Sequence, residues 1–207
     1  AFSAGSLIGV SFFDLIPESL GLAGSAGMPI MQLMAVSAAI FFIYSLIERF
    51  SLTHHYHDEH GEHKHVMGPV GAGGLIIHSF FDGVAIGTAY MVNAAIGMIV
   101  TFAVIFHDFG DGVNTVTLML KHNYNSEARK FLFADALAPM LGMLAASLLN
   151  LSEGTLALIL AAFVGEFLYI GCANLLPETY KHTAWKMSLC TGLGMAMIFA
   201  VTSLIQI

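Results

Sequence analysis

Charge is what this sequence lacks. Only 10% of its 207 residues are Asp, Glu, Lys or Arg, and bases are the scarcer sign, seven against fourteen acids. No basic patch is present to meet nucleic acid, and a formal net charge of −7 opposes such binding. The two cysteines, Cys172 and Cys190, both sit in apolar stretches, which argues against a disulfide framework and for small-residue packing. The opening "AFSAGSLIGVSFFDLIPES" has no initiator Met, basic flank or small-residue cleavage site, so it does not read as a signal peptide, and the chain is expected to be cut at its start.

What fills the sequence instead is hydrocarbon: 57% of residues are hydrophobic and the mean hydropathy is +0.79. A soluble helical bundle keeps a polar face, and these segments mostly do not. Crossing ~30 Å of hydrocarbon at ~1.5 Å per residue takes about 20 residues. Runs of that order lie at 1–18, 29–50, 70–92, 95–120, 131–150, 154–177 and 187–207. The pattern predicts an all-α membrane protein, one polytopic transmembrane domain over 1–207 with seven helices.

All the bases fall in alternate connections: Arg49 and Lys64, then Lys121, Arg129 and Lys130, then Lys181 and Lys186. Basic residues near helix ends stay in the cytoplasm, so those three connections are expected inside and the C-terminus outside. The first of them, 51–68, contains "HHYHDEHGEHKH", a polar run with six histidines that is expected to be a solvated cytoplasmic loop able to capture a borderline cation through imidazole nitrogens.

Two internal similarities recur. "HSFFDGV" at 78–84 matches "HDFGDGV" at 107–113 on consecutive, antiparallel segments, and "DLIPES" at 14–19 matches "NLLPET" at 174–179. Duplicated elements meeting at mid-membrane favour a transporter architecture.

Asp14, Asp82, Asp108, Asp111, Asp135 and Glu166 fall within membrane segments, Asp135 toward an end. An Asp at a helix centre costs ~2.5–3.5 kcal/mol even on the lenient insertion scale. Apart from Lys121 at a segment's edge, no base shares those stretches, so protons or metal cations must supply the positive charge.

The histidines favour metal. His78 and Asp82 are four residues apart and share a helix face, and His107 and Asp111 repeat the arrangement. Two imidazoles and two carboxylates from facing helices make a nitrogen and oxygen site of the kind zinc accepts, with iron, manganese and cadmium also eligible. Asp108, three residues before Asp111, lies about 60° around the helix from it, as a further ligand or an outer partner.

Asn114 and Thr115 extend the stripe beyond Asp111, while Ser11, Asp14 and Glu18 share a face on the first segment. A track suits permeation better than a sealed site. Gly83 and Gly112, each following an acid, either admit another backbone or let the helix bend. Pro17 and Pro177 either kink or end their helices, and Pro139 is expected to kink the fifth segment.

These motifs resemble the Zrt/Irt-like protein family, ZIP, of divalent metal transporters, whose fourth and fifth of eight helices carry histidine–acid signatures similar to "HSFFDG" and "HDFGDG". "AFSAGSLIGVSFFDLIPES" is similar to the family's second helix, the His-rich loop to its loop between helices three and four, and "GEFLYIGCANLLPETYKH" to its seventh. By that count the first family helix is missing from this sequence. The resemblance implies a transport site of His78, Asp82, His107 and Asp111, with Asp108 adjacent and Asp14 on the access path. It also implies uptake toward the cytoplasm, a homodimer in the cell membrane, and movement of one helix group against another.

The sequence departs from the family pattern with Ser79, Phe81 and Asp82 in the first motif and Gly110 and Asp111 in the second. Ala138, Ala173 and Asn174 replace family acids and a histidine, so one ion per site is expected rather than two.

The reading is a divalent cation transporter, zinc first, with the metal as substrate and no cofactor, and not an enzyme. Proton competition for imidazole should weaken binding below about pH 6.5. The alternative is a membrane-embedded zinc hydrolase with Asp108 as general base. A proton-coupled carrier of organic solutes would explain the acids but neither the paired histidines nor the loop.

Overall fold

A computed structural model describes residues 1–54, 66–92, 94–149, 151–180 and 185–205. Most of the His-rich loop, 55–65, lies outside the described residues, as does the side chain of His107.

Seven long helical rods account for nearly all of the described chain: α1 Phe2–Ser25, α2 Ile30–His54, α3 Met67–Val92, α4 Ala94–Lys121, α5 Ala128–Ala145, α6 Glu153–Thr179 and α7 Trp185–Ile205. Five of them (α1, α2, α3, α6 and α7) are long and apolar enough to cross a membrane. Of the others, α5 carries Arg129, Lys130 and Asp135 within 18 residues.

The rods stop where the backbone chemistry says they should. After α1, Gly27 takes φ +66, and Met28 N–H bonds back to Ala23 C=O at 2.8 Å, closing a Schellman cap before Pro29. After α4, Asn123 takes φ +65, and Tyr124 N–H reaches Met119 C=O at 2.8 Å in the same motif. At the start of α6, Ser152 Oγ accepts from the Thr155 N–H at 3.2 Å.

The repeated "DLIPES" and "NLLPET" segments share a backbone device. In α1 the turn Ser11–Leu15, and in α6 the turn Tyr169–Leu175, are π-helical. Just ahead of Pro17 and Pro177, the N–H groups of Ile16 and Leu176 bond to the carbonyls five residues back, of Ser11 and Gly171. A proline offers no N–H to the carbonyl four residues before it, and the wider turn accommodates the shift. Pro17 does not end its helix, which runs on to Ser25; after Pro177 the helix stops at Thr179. The helix likewise continues through Pro139.

Three helix pairs meet closely enough that glycine is needed between them. A Cβ on Gly83 or Gly142 would strike the Pro139 or Phe80 carbonyl (α3 on α5), one on Gly5 the Thr191 carbonyl (α1 on α7), and one on Gly165 the Ser37 carbonyl (α2 on α6). Close backbone approach is thus the role of Gly83, whereas Gly112 meets only the Leu132 side chain. Leu7, Leu15, Leu75, Leu118, Phe167 and Ile198, from five helices, fill the main core. Outward, Phe42, Phe109 and Leu144 are 61%, 68% and 71% exposed. Faces that apolar suit lipid and rule against a water-soluble bundle.

Candidate metal centre

Three of the expected ligands converge. His78 and Asp82, one turn apart on α3, bring Nε2 and Oδ2 to 3.3 Å. Asp111, facing them from α4, places its Oδ2 3.9 Å from the same nitrogen. The ligand atoms of the three residues all lie within 4.8 Å of one another. Tetrahedral zinc with bonds of ~2.0–2.1 Å wants ligand separations of about 3.3 Å, so a small contraction would close the set on an ion. His78 and Asp111 are each 1% exposed. Two carboxylates and an imidazole at that depth form a site whose net charge a divalent cation would cancel.

The His78 ring is held from outside the site helices. Phe163 and Phe167 of α6 meet it edge-on, with centroids at 5.0 and 4.9 Å. The backbone of His107 lies one turn before Asp111 on α4, on the helix that faces α3.

Asp108 and Asp14 do not join the three-residue group among the described atoms. Asp108 instead lines a cavity of about 780 Å³ with Ser79 and Asp135. Asp14 is half-buried in the π-helical turn of α1, and Glu18, a turn further, is exposed.

Asp135 lies within its helix, as the sequence has it, and is buried in the body of α5 rather than toward an end, accepting from Ser79 Oγ at 2.8 Å and Thr115 Oγ1 at 3.1 Å. Ser79 follows His78 and Thr115 is one turn beyond Asp111, so one carboxylate ties the two ligand-bearing helices together. The signal lay in Ser79 and Thr115, hydroxyls next to the two motifs.

The expected polar track beyond Asp111 divides: Thr115 turns to Asp135, while Asn114 Nδ2 donates to Ser6 Oγ of α1 at 3.2 Å. A second polar group, unexpected from sequence, gathers at the C-terminal end of α4. Lys121 Nζ donates to the backbone oxygen and Oδ1 of Asn174, both at 2.6 Å. Asn174 Nδ2 donates to Glu48 Oε1 at 3.1 Å, and the Tyr169 hydroxyl donates to the other Glu48 oxygen. Cys172 and Cys190 are free thiols.

A bundle of apolar helices with a buried histidine–carboxylate cluster defines an integral membrane protein whose clustered side chains are of a kind that could hold a cation. More particularly, the ZIP zinc transporter family model matches residues 53–206, and the chain belongs to that family. It is 25% identical over 217 residues to the zinc transporter ZIP13 of Pongo abelii, covering 97% of this chain and 66% of that protein. It is 35% identical over 126 residues to the zinc transporter ZIP1 of Plasmodium falciparum (isolate 3D7), covering 58% of this chain and 34% of that one. Human ZIP4 is 28% identical over 126 residues, 59% of this chain and 20% of that protein. The chain therefore spans from about a fifth to about two-thirds of these relatives. No solved structure matches it.

Proposed function

We propose that this chain moves divalent metal ions across a membrane, with zinc as the first substrate and iron, manganese and cadmium as the other candidates. The observation that carries the reading is the convergence of His78, Asp82 and Asp111 from two helices, buried, with ligand atoms within 4.8 Å. His107, repeating on α4 the spacing of His78 on α3, is the fourth ligand. Relatives named zinc transporters support zinc as the cargo.

Asp108 stands beside the site and Asp14 on the entry or exit path, and the ion moves toward the cytoplasm by alternating access, one helix group moving against another. The distribution of bases sets the His-rich loop 51–68 in the cytoplasm and the C-terminus outside the cell membrane. Two copies associate, and the outward apolar faces of α2 and α7 suit such a contact. Neither the relatives nor the site geometry favours a hydrolase.

The test is zinc binding and zinc accumulation by correctly inserted protein. Asp82→Ala and His107→Ala should each lose both; accumulation at the parent rate in either variant would sink the reading.

A further inference from the structure

One buried acid has no part in the metal site. Glu166, in the middle of α6, is 5% exposed, and its Oε1 has no hydrogen-bond partner. That side chain lies against the Cα of Gly74 on α3 so closely that any Cβ there would overlap it. Its hydrogen-bond partner is the hydroxyl of Tyr44 on α2. Among the described residues no Lys, Arg or His pairs with it. An ionised carboxylate with a bare oxygen in hydrocarbon is costly, and a proton is the smallest cation that removes the cost.

The place matters because Gly74 and His78 lie one turn apart on the same face of α3. Phe163 and Phe167, which hold the His78 ring, flank Glu166 in sequence on α6. Away from the site, the Tyr44 ring neighbours that of Tyr169, centroids 6.1 Å apart, and the Tyr169 hydroxyl donates to Glu48. The titratable groups facing Glu166 are thus Tyr44 from α2, His78 one turn along α3, and Tyr169 on its own helix. From α1, which also packs on α6, come Asp14 and Glu18, but the group acting on Glu166 is Tyr44.

Resting on the metal-transport reading, we propose that Glu166 is a proton-binding site linked to the metal site, protonated when that site is empty and deprotonated when a divalent cation fills it. The O–H bond of the Glu166 carboxyl breaks as the cation arrives, and the electron pair stays on the carboxylate. The proton passes to solvent, so positive charge enters at His78 as it departs from Glu166. By linkage the same proton, when bound, weakens the metal.

The experiment titrates the purified chain in detergent with zinc, counting protons released into weak buffer. The parent should release about one proton per ion more than Glu166→Gln, which should still bind zinc with a pH slope of affinity lower by about one. Equal proton release from two zinc-binding proteins would overturn the proton site and leave the metal site standing; a parent that binds no zinc would remove the metal reading beneath it. Should Glu166→Gln fail to assemble, infrared difference spectra of the parent on adding zinc decide the matter. A bleached protonated-carboxyl band that shifts in Glu166→Asp supports the site, and no such band overturns it.

Discussion

Asp135→Ala is the most informative substitution, because it disturbs the proposed metal site without changing any of the proposed ligands. The parent carboxylate accepts two hydroxyl hydrogen bonds, at 2.8 and 3.1 Å. Bonds to a charged group are worth ~1.5–3 kcal/mol each, so their loss costs about 3–6 kcal/mol gross. Removing a carboxylate from the membrane interior returns ~2.5–3.5 kcal/mol, which leaves a net change between about −0.5 and +3.5 kcal/mol, destabilising over most of that range. The fold should therefore survive with a modestly lower unfolding temperature.

The larger effect falls on the site. Ser79 beside His78 and Thr115 beyond Asp111 lose their common anchor, and outer partners of metal ligands typically carry a 10–100-fold effect on affinity. Zinc affinity by calorimetry should fall by about that factor, roughly 1.4–2.7 kcal/mol. Asp135→Asn keeps one acceptor oxygen and should recover part of the loss. An Asp135→Ala protein that is folded and binds zinc with the parent affinity would refute the positioning role.

Other outcomes follow from the same geometry. Asp111→Asn should stabilise the metal-free fold, by up to ~2.5–3.5 kcal/mol, while lowering zinc affinity at least 100-fold; thermal unfolding with and without zinc separates the two effects. Protons and metal compete for the same imidazole and carboxylate atoms, so zinc affinity should fall as pH is lowered; an affinity that does not change with pH would argue against histidine and carboxylate ligands. Gly83→Val should collide with the Pro139 carbonyl and impair assembly of α3 on α5, read as lost monodispersity in detergent. Asn123→Val should cost about 1–2 kcal/mol at the left-handed turn after α4, whereas Asn123→Gly should be tolerated; equal stability of the two would argue against that cap.

The parts of this molecule that follow from local rules were legible in its sequence. The seven apolar runs fall on seven long helices, five of them long and apolar enough to cross a membrane, because length and hydropathy act residue by residue. His78 and Asp82 share a helix face by periodicity alone, and Asp111 could be placed opposite them because the second motif repeats the first. What periodicity does not carry is the partner across a helix interface. Asp135 looked terminal because Arg129 and Lys130 polarise the start of its helix, yet hydroxyls from α3 and α4 bring it to the interior. The Lys121–Asn174–Glu48 contacts join residues 53 and 126 positions apart, and no motif announces them. Asp108 shares a motif with Asp111 but projects from another side of α4, into the cavity beside the site.

The central claim is that an ion crosses by way of His78, Asp82 and Asp111. Its most direct test is uptake of radioactive zinc at neutral pH into proteoliposomes holding the parent chain, its Asp111→Ala variant, or no protein. Uptake by the parent that falls to the empty-vesicle level in the variant is the expected result. Equal uptake by parent and variant, both above empty vesicles, would contradict it.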